Sequence, residues 1–267
     1  MTETEANAAT QDEDHFQPTD HGAPSSLRTL CEELHEKVFK FMQEDAPTEI
    51  LKNVQGQCIR TTTIISDALT NYPLETLSLS YNGGKDCLVL LVLYLTCLSR
   101  HPNLPPSLPA ILIPPPHPFP AVDTFVEASS THYHLSLSRY TSNSMRDAFR
   151  SYLSSDVGRG IKAIFVGTRR TDPHGAKLGP YDMTDRGWPE FMRIHPVLEW
   201  RYAEVWAFLR HFGVEYCELY DKGYTSLGGT NDTHPNPALR VEGEGGEVWF
   251  RPAYELVEDE KERLGRD

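Results

Sequence analysis

Ser80-Tyr81-Asn82-Gly83-Gly84-Lys85-Asp86 is a run whose residue types suit a phosphate. It lies between an expected strand, ETLSLS at 75–80, and an expected apolar helix at 85–99. Two adjacent glycines let the backbone turn tightly and approach a ligand closely. A helix starting at once behind them aims its unpaired N–H groups and positive dipole end at whatever the loop holds. Gly-Gly alone could be a plain turn, but the strand-to-helix setting with Lys and Asp directly after it points to a pyrophosphate. The loop is not the GxxxxGK[ST] type, because Asp86 stands where a hydroxyl would meet the metal. Nor is it GxGxxG, which disfavours a nicotinamide dinucleotide.

Other stretches carry charge or aromatic surface in suggestive patterns. Residues 167–193 hold Arg169, Arg170, Asp172, Lys177, Asp182, Asp185, Arg186 and Arg193. Such a mixture is often only a solvated surface. Here it follows an expected strand, is punctuated by Gly and Pro, and carries Trp188 and Phe191, which a merely solvated loop would not expose. Cations, carboxylates and aromatics together can hold a planar heterocycle bearing a phosphate. The Pro-rich segment 114–120 reads as a polyproline spacer or, with Phe119, as a wall for such a ring. Leu227–Asp232 reads as a double-glycine turn, and Arg263 and Arg266, three apart, as a solvated end or as one helix face. The histidines show neither a helical HxxxH nor a compact triad with carboxylates, so they read as surface or packed residues.

These groups need elements to position them. Apolar residues at spacings of three and four predict helices over about 27–46 and 48–72. From there strands and helices alternate: strands at 75–80, 108–113, 132–138 and 161–167, helices at 85–99, about 121–131 and 142–153, and a last helix from Trp200 to about His211. Residues 212–267 are Gly- and Pro-rich with sparse periodicity. The alternation implies an α/β fold, a doubly wound and mostly parallel sheet with helices on both faces. The N-terminal helices and an irregular C-terminal extension are added to it. Ligands of such sheets sit beyond the carboxyl ends of the strands, where the loops at 80–86 and 167–190 should open.

The whole chain, 267 residues with 39% hydrophobic and 24% charged, can bury a sizeable core. Its formal charge of −13 argues against nucleic acid or an anionic membrane as partner. Much of that charge is terminal: residues 1–26 carry six acids and no Lys or Arg, and read as a disordered acidic tail. Five cysteines form no CxxC pair, which suits a reducing compartment. The longest apolar run, 87–98, is 12 residues, too short for the roughly 20 of a membrane span. With no targeting signal apparent, a cytoplasmic location is expected. The organisation expected is a tail at 1–26 and one domain at 27–267, divided into a helical part (27–72), an α/β core (73–211) and the extension (212–267).

SYNGGKDC, GTRRTDPHGAKLGPYDMTDRGWPEFMRIHPVLEW and LYDKGYTSLGGTNDTHPNPAL stand in order over roughly 75–267. Through them the chain resembles the PP-loop ATP pyrophosphatases, the superfamily that includes phosphoadenylylsulfate reductase, and within it the fungal single-domain FAD synthetases. The resemblance implies transfer of AMP from ATP to FMN, giving FAD and pyrophosphate, with Mg²⁺ and with small molecules as the only substrates. FAD could remain bound as product, and a monomer is favoured. It implies that residues 80–86 bind the nucleotide's pyrophosphate, with Lys85 and the loop amides on the β- and γ-phosphates. Phe119, Arg169, Asp172, Asp185, Trp188 and Arg193 would border the flavin. Asn82, Asp86, Asp172, Arg263 and Arg266 would serve catalysis, with Asp86 or Asp172 orienting the metal or its waters. Two alternatives stay open: a reductase using Cys217, and a silent nucleotide- or flavin-binding protein.

Overall fold

The computed structural model describes residues 26–142 and 144–267. The expected disordered tail therefore lies outside the described residues as far as 25. Its last residue does not: Ser26 caps helix α1 (Leu27–Gln43), accepting from the Thr29 amide. Helix α2 (Glu49–Asn71) is capped in the same way by Thr48.

Strand β1 (Leu77–Ser80) opens the sheet and runs through the phosphate loop into α3 (Lys85–Leu98). β2 (Leu108–Leu112), α4 (Pro120–His132), β3 (Leu135–Arg139), α5 (Met145–Ser154) and β4 (Ala163–Val166) follow. Then come β5 (Tyr181–Met183), β6 (Met192–Ile194) and α6 (Tyr202–His211). The strand order is β3-β2-β1-β4-β6-β5, parallel throughout except for β5, which runs against β6. A small antiparallel hairpin, β7 (Arg240–Glu242) with β8 (Val248–Phe250), stands apart in the extension.

Alternation along the strands explains the layers. Leu77, Leu79, Leu108, Ala110, Ala163 and Phe165 belong to one large core with α1, α2, α3, α4 and α6. Ile111 and Ile164 point the other way, into a smaller core with Phe149 and Tyr152 of α5. Both faces are thus covered by helices, unequally. Helix α3 is apolar nearly all round and is buried along almost its whole length, between the sheet and the layer formed by α1, α2 and α6.

The chain leaves β1 toward β2 and β3 on one side and returns to β4 on the other. The carboxyl ends of β1 and β4 therefore flank the point where the winding reverses, where an open α/β sheet leaves a crevice. Two expectations change. The strand at 132–138 begins at Leu135, because His132 still belongs to α4 and His134 has φ of +52°. The loop at 167–193 is folded partly as β5 and β6, which widen the sheet by two three-residue strands.

Candidate active site

In the phosphate loop, Gly83 has φ of +71°, and a Cβ there would stand 2.8 Å from Cγ2 of Val126 on α4. Only glycine meets both conditions. The Asn82 side chain accepts from the Gly84 amide at 3.0 Å and so braces the turn. The Lys85 amide donates to the hydroxyl of Tyr220, which is buried. Tyr81 contributes backbone only, since its ring is buried and its hydroxyl donates to Ser129.

Beneath the loop lies a buried ion cluster. Lys85, only 2% exposed, places its Nζ 2.5 Å from Glu262 Oε1 and 3.0 Å from Asp86 Oδ2. Arg169, fully buried, approaches Asp86 Oδ1 with Nε at 2.7 Å, pairs with Glu262 through Nη2, and reaches Asp259 at 3.7 Å. Burial works against ionisation of Asp86, but the charges of Arg169 and Lys85 outweigh it and hold its pKa below the ordinary value. Lys85 stays charged because Asp86 and Glu262 more than offset its burial. For Asp172 the balance is opposite: burial, then the nearby Asp86 charge, raises its pKa. Its Oδ2 accepts from the Arg169 amide at 2.8 Å.

Two cavities open above this floor. The first, about 260 Å³, is lined among others by Asn82, Gly84, Lys85, Asp86, Asp172, Arg263 and Arg266. The second, about 660 Å³, runs over the smaller core past Ser80, Phe149, Asp185, Trp188, Phe191 and Arg193. They share Asn82, Cys87, Gly167 and Asp172 and so meet at one junction. Burial raises the Cys87 thiol to about 12, so that part of the junction is a neutral wall. Arg193 lies 3.7 Å from Asp185 and donates to the Met183 carbonyl, which holds both side chains at the rim of the second cavity.

Of the residues expected at the site, Tyr81, Gly83, Phe119 and Arg169 line neither cavity. Phe119 is half-buried just before α4, its ring edge-on to Tyr224 at 5.4 Å. Arg169 is enclosed because its guanidinium is committed to the carboxylates below the loop. Sequence reasoning missed Glu262, Asp259 and Tyr220. Glu262 sits in EDEKERLGRD, which by composition is a solvated end, and nothing local separates it from its acidic neighbours.

The extension closes the first cavity. A 3₁₀ helix, Asp259–Gly265, returns to the start of α3 and brings Glu262 to Lys85. The turn at 227–232 sits on the Pro-rich segment, with the Thr230 amide donating to the His117 carbonyl at 2.8 Å. A Cβ on Gly229 would come 2.4 Å from the Pro116 carbonyl oxygen. Cys217 is buried and its thiol pKa is raised by burial, the reverse of what a nucleophile needs. Among the described residues no three His, Cys, Asp or Glu side chains gather to hold a metal, and no helix is long and apolar enough to cross a membrane.

The family model of the phosphoadenosine phosphosulfate reductase domain matches residues 76–159 and 157–235. A probable FAD synthase of Schizosaccharomyces pombe is 37% identical over 241 residues, 88% of either chain. The crystal structure of Candida glabrata FMN adenylyltransferase with FAD and inorganic pyrophosphate is similar at a TM-score of 0.83 and 32% identity, over 90% of this chain and 99% of that one. The same enzyme with FMN and the ATP analogue AMPCPP gives 0.83 and 32%, over 91% and 100%.

Proposed function

The chain belongs to the FAD synthase family, built on the phosphoadenosine phosphosulfate reductase domain, and from that premise we propose how its own residues carry out the reaction. It transfers AMP from ATP to the phosphate of FMN, yielding FAD and pyrophosphate. The observation that carries the assignment of roles is the junction of two cavities at Asn82, Cys87, Gly167 and Asp172. One side is small and edged by loop amides and arginines, the other roomy and aromatic. ATP would put its pyrophosphate in the first, and FMN its ring system in the second beside Trp188. The FMN phosphate would then meet the α-phosphate at the junction.

Little covalent help is required. A phosphate oxygen of FMN forms the new bond to the α-phosphorus while the bond to the β-phosphate's bridging oxygen breaks. The barrier lies in aligning two polyanions, so positioning and charge stabilisation carry the catalysis. The loop backbone takes the leaving pyrophosphate at the positive end of α3, the Gly84 and Lys85 amides exchanging their Asn82 and Tyr220 acceptors for phosphate oxygens. Arg263 and Arg266 meet the charge that develops there. Asp185 and Arg193 fix the flavin at the cavity rim.

Mg²⁺ fits the donor set. The ion keeps much of its water and binds substrate phosphates with one or two carboxylates. Asp172 and Asp86 both line the first cavity, while no larger ligand cluster stands among the described residues. Asp172 would hold the ion, and Asp86, whose oxygens face Lys85 and Arg169, would orient its waters; when bound, the ion neutralises phosphate charge. We take residues 26–267 as one catalytic domain acting as a cytoplasmic monomer; five unpaired cysteines suit a reducing compartment.

The test is to incubate the purified protein with FMN, ATP and MgCl₂ and to quantify FAD and pyrophosphate. Equal amounts of both, abolished by EDTA, are expected. FAD formation that survives EDTA would remove the metal from the reading, and no FAD from folded protein would remove the reaction.

A further inference from the structure

Lys85 ends the phosphate loop, yet its ammonium is already held by two carboxylates. One of them, Glu262, is 4% exposed and comes from the far end of the chain, where it also pairs with Arg169. We propose that Glu262 is a positioning residue: by bridging Lys85 and Arg169 it locks the C-terminal 3₁₀ helix onto the start of α3 and so sets Arg263 and Arg266 at the phosphate cavity. The proposal rests on reading that cavity as the nucleotide site.

Helix geometry makes the lock specific. In a 3₁₀ helix, residues three apart lie over one another. Asp259 and Glu262 therefore form one row, turned to Arg169; Arg263 stands in the next, and Arg266 follows in extended backbone just past the helix end, both lining the cavity. A slip of one residue would carry Arg263 into the place of Glu262, against two buried cations. That arrangement is strongly unfavourable in a buried site. Glu262 thus selects the register that presents the arginines.

The remaining contacts of this helix hold its backbone without aiming it at the loop. Thr225 donates to the Glu262 carbonyl at 2.6 Å, and the Asn236 side chain donates to the Lys261 carbonyl at 2.8 Å. Both lie on the side of the extension itself. The Asp259 carboxylate accepts from the Tyr202 amide at 2.5 Å, which fastens the helix to α6. Among the described residues, only Glu262 pairs this helix directly with the one that follows the phosphate loop. Two cations and three carboxylates make up the cluster, so the positive charge of Lys85 and Arg169 is more than offset within it. Phosphates entering the cavity then meet Arg263, which is exposed, and Arg266, whose Asp232 contact is long at 3.3 Å.

Glu262→Gln is the decisive variant. It keeps the shape, and Asp86 still pairs with both Lys85 and Arg169, so the fold should hold. Hydrogen exchange at residues 259–267 of the ligand-free protein is expected to quicken about tenfold or more. The kcat for FAD formation should fall about tenfold or more, with FMN binding changed less than about twofold. Arg263→Ala should cost much less in the Glu262→Gln background than in the wild type, because the arginine is already misplaced there. Unchanged exchange, or fully additive losses, would overturn the lock. If the wild type made no FAD, the exchange measurement would still decide the lock while the reaction reading failed. If it made FAD and Glu262→Gln matched it in rate and protection, only the lock would fail.

Discussion

Asp86 and Asp172 look equivalent in the sequence, each an aspartate just after the carboxyl end of a strand, and each would be expected to lose turnover on replacement with the fold intact. The structure separates them. Asp86 is the counter-charge of two buried cations. Asp86→Ala should therefore cost stability as well, about 3 kcal/mol, read as a lower urea midpoint. Asp172 pairs with no cation within salt-bridge distance among the described residues and accepts only from the Arg169 amide, a bond an asparagine can also accept. Asp172→Asn should lower kcat by about a hundredfold or more while the protein melts no lower than the wild type. A clear drop in melting temperature would show a structural role instead. The pH dependence follows. Because the Asp172 pKa is raised in the folded state, that state holds the proton better than the unfolded chain between the ordinary value near 3.8 and the raised one. Stability then falls as pH climbs through that window, while activity, which needs the carboxylate, rises. The acid limb of kcat/KM should lie above the ordinary aspartate value. A limb at or below it would separate this carboxylate from the rate.

Among the elements, the β1–loop–α3 unit was legible because its signals are local. Two glycines, a preceding strand and a following apolar helix need no distant partner to specify a turn. Gly83→Ala tests it: positive φ together with the Val126 contact should destabilise by about 1–2 kcal/mol. It should also raise KM for ATP while leaving FMN binding alone, as paired nucleotide and flavin titrations would report. Equal loss of both would mean that the loop serves the whole fold rather than the phosphates. The strands β5 and β6 were not legible. Each has three residues, with Asp182 and Arg193 cross-paired in the register, and such pieces become strands only because β4 offers an edge. His134 shows the same limit: a left-handed residue before β3 has no signature in its own sequence.

At the scale of the molecule, the sheet brings β1 and β4 together at the winding reversal, and the extension then covers that crevice. Removing residues 259–267 would take away Glu262, Arg263 and Arg266 and leave Lys85 and Arg169 with only one of their two shared partners, Asp86. FAD formation should fall to the background while the aromatic cavity, which this segment does not line, still binds FMN. Quenching of tryptophan fluorescence by added FMN would check this. Loss of flavin binding along with turnover would mean that the segment supports the whole sheet edge.

The sequence by itself determined what local order can specify. That includes the alternation of strands and helices, the phosphate loop between β1 and α3, and the pairing of a charged, aromatic stretch with the sheet's ligand edge. The family resemblance, carried by three ordered motifs, supplied the reaction. Only the tertiary structure decided which charges reach the cavities and which are spent beneath them. Arg169 and Arg193 both lie in the charged stretch that follows β4, yet one is enclosed and the other edges a cavity. Glu262 and Lys85 are separated by 177 residues, yet meet at 2.5 Å. Burial and charge pairing are properties of neighbours in space, and for Lys85, Arg169 and Glu262 decisive neighbours lie far along the chain.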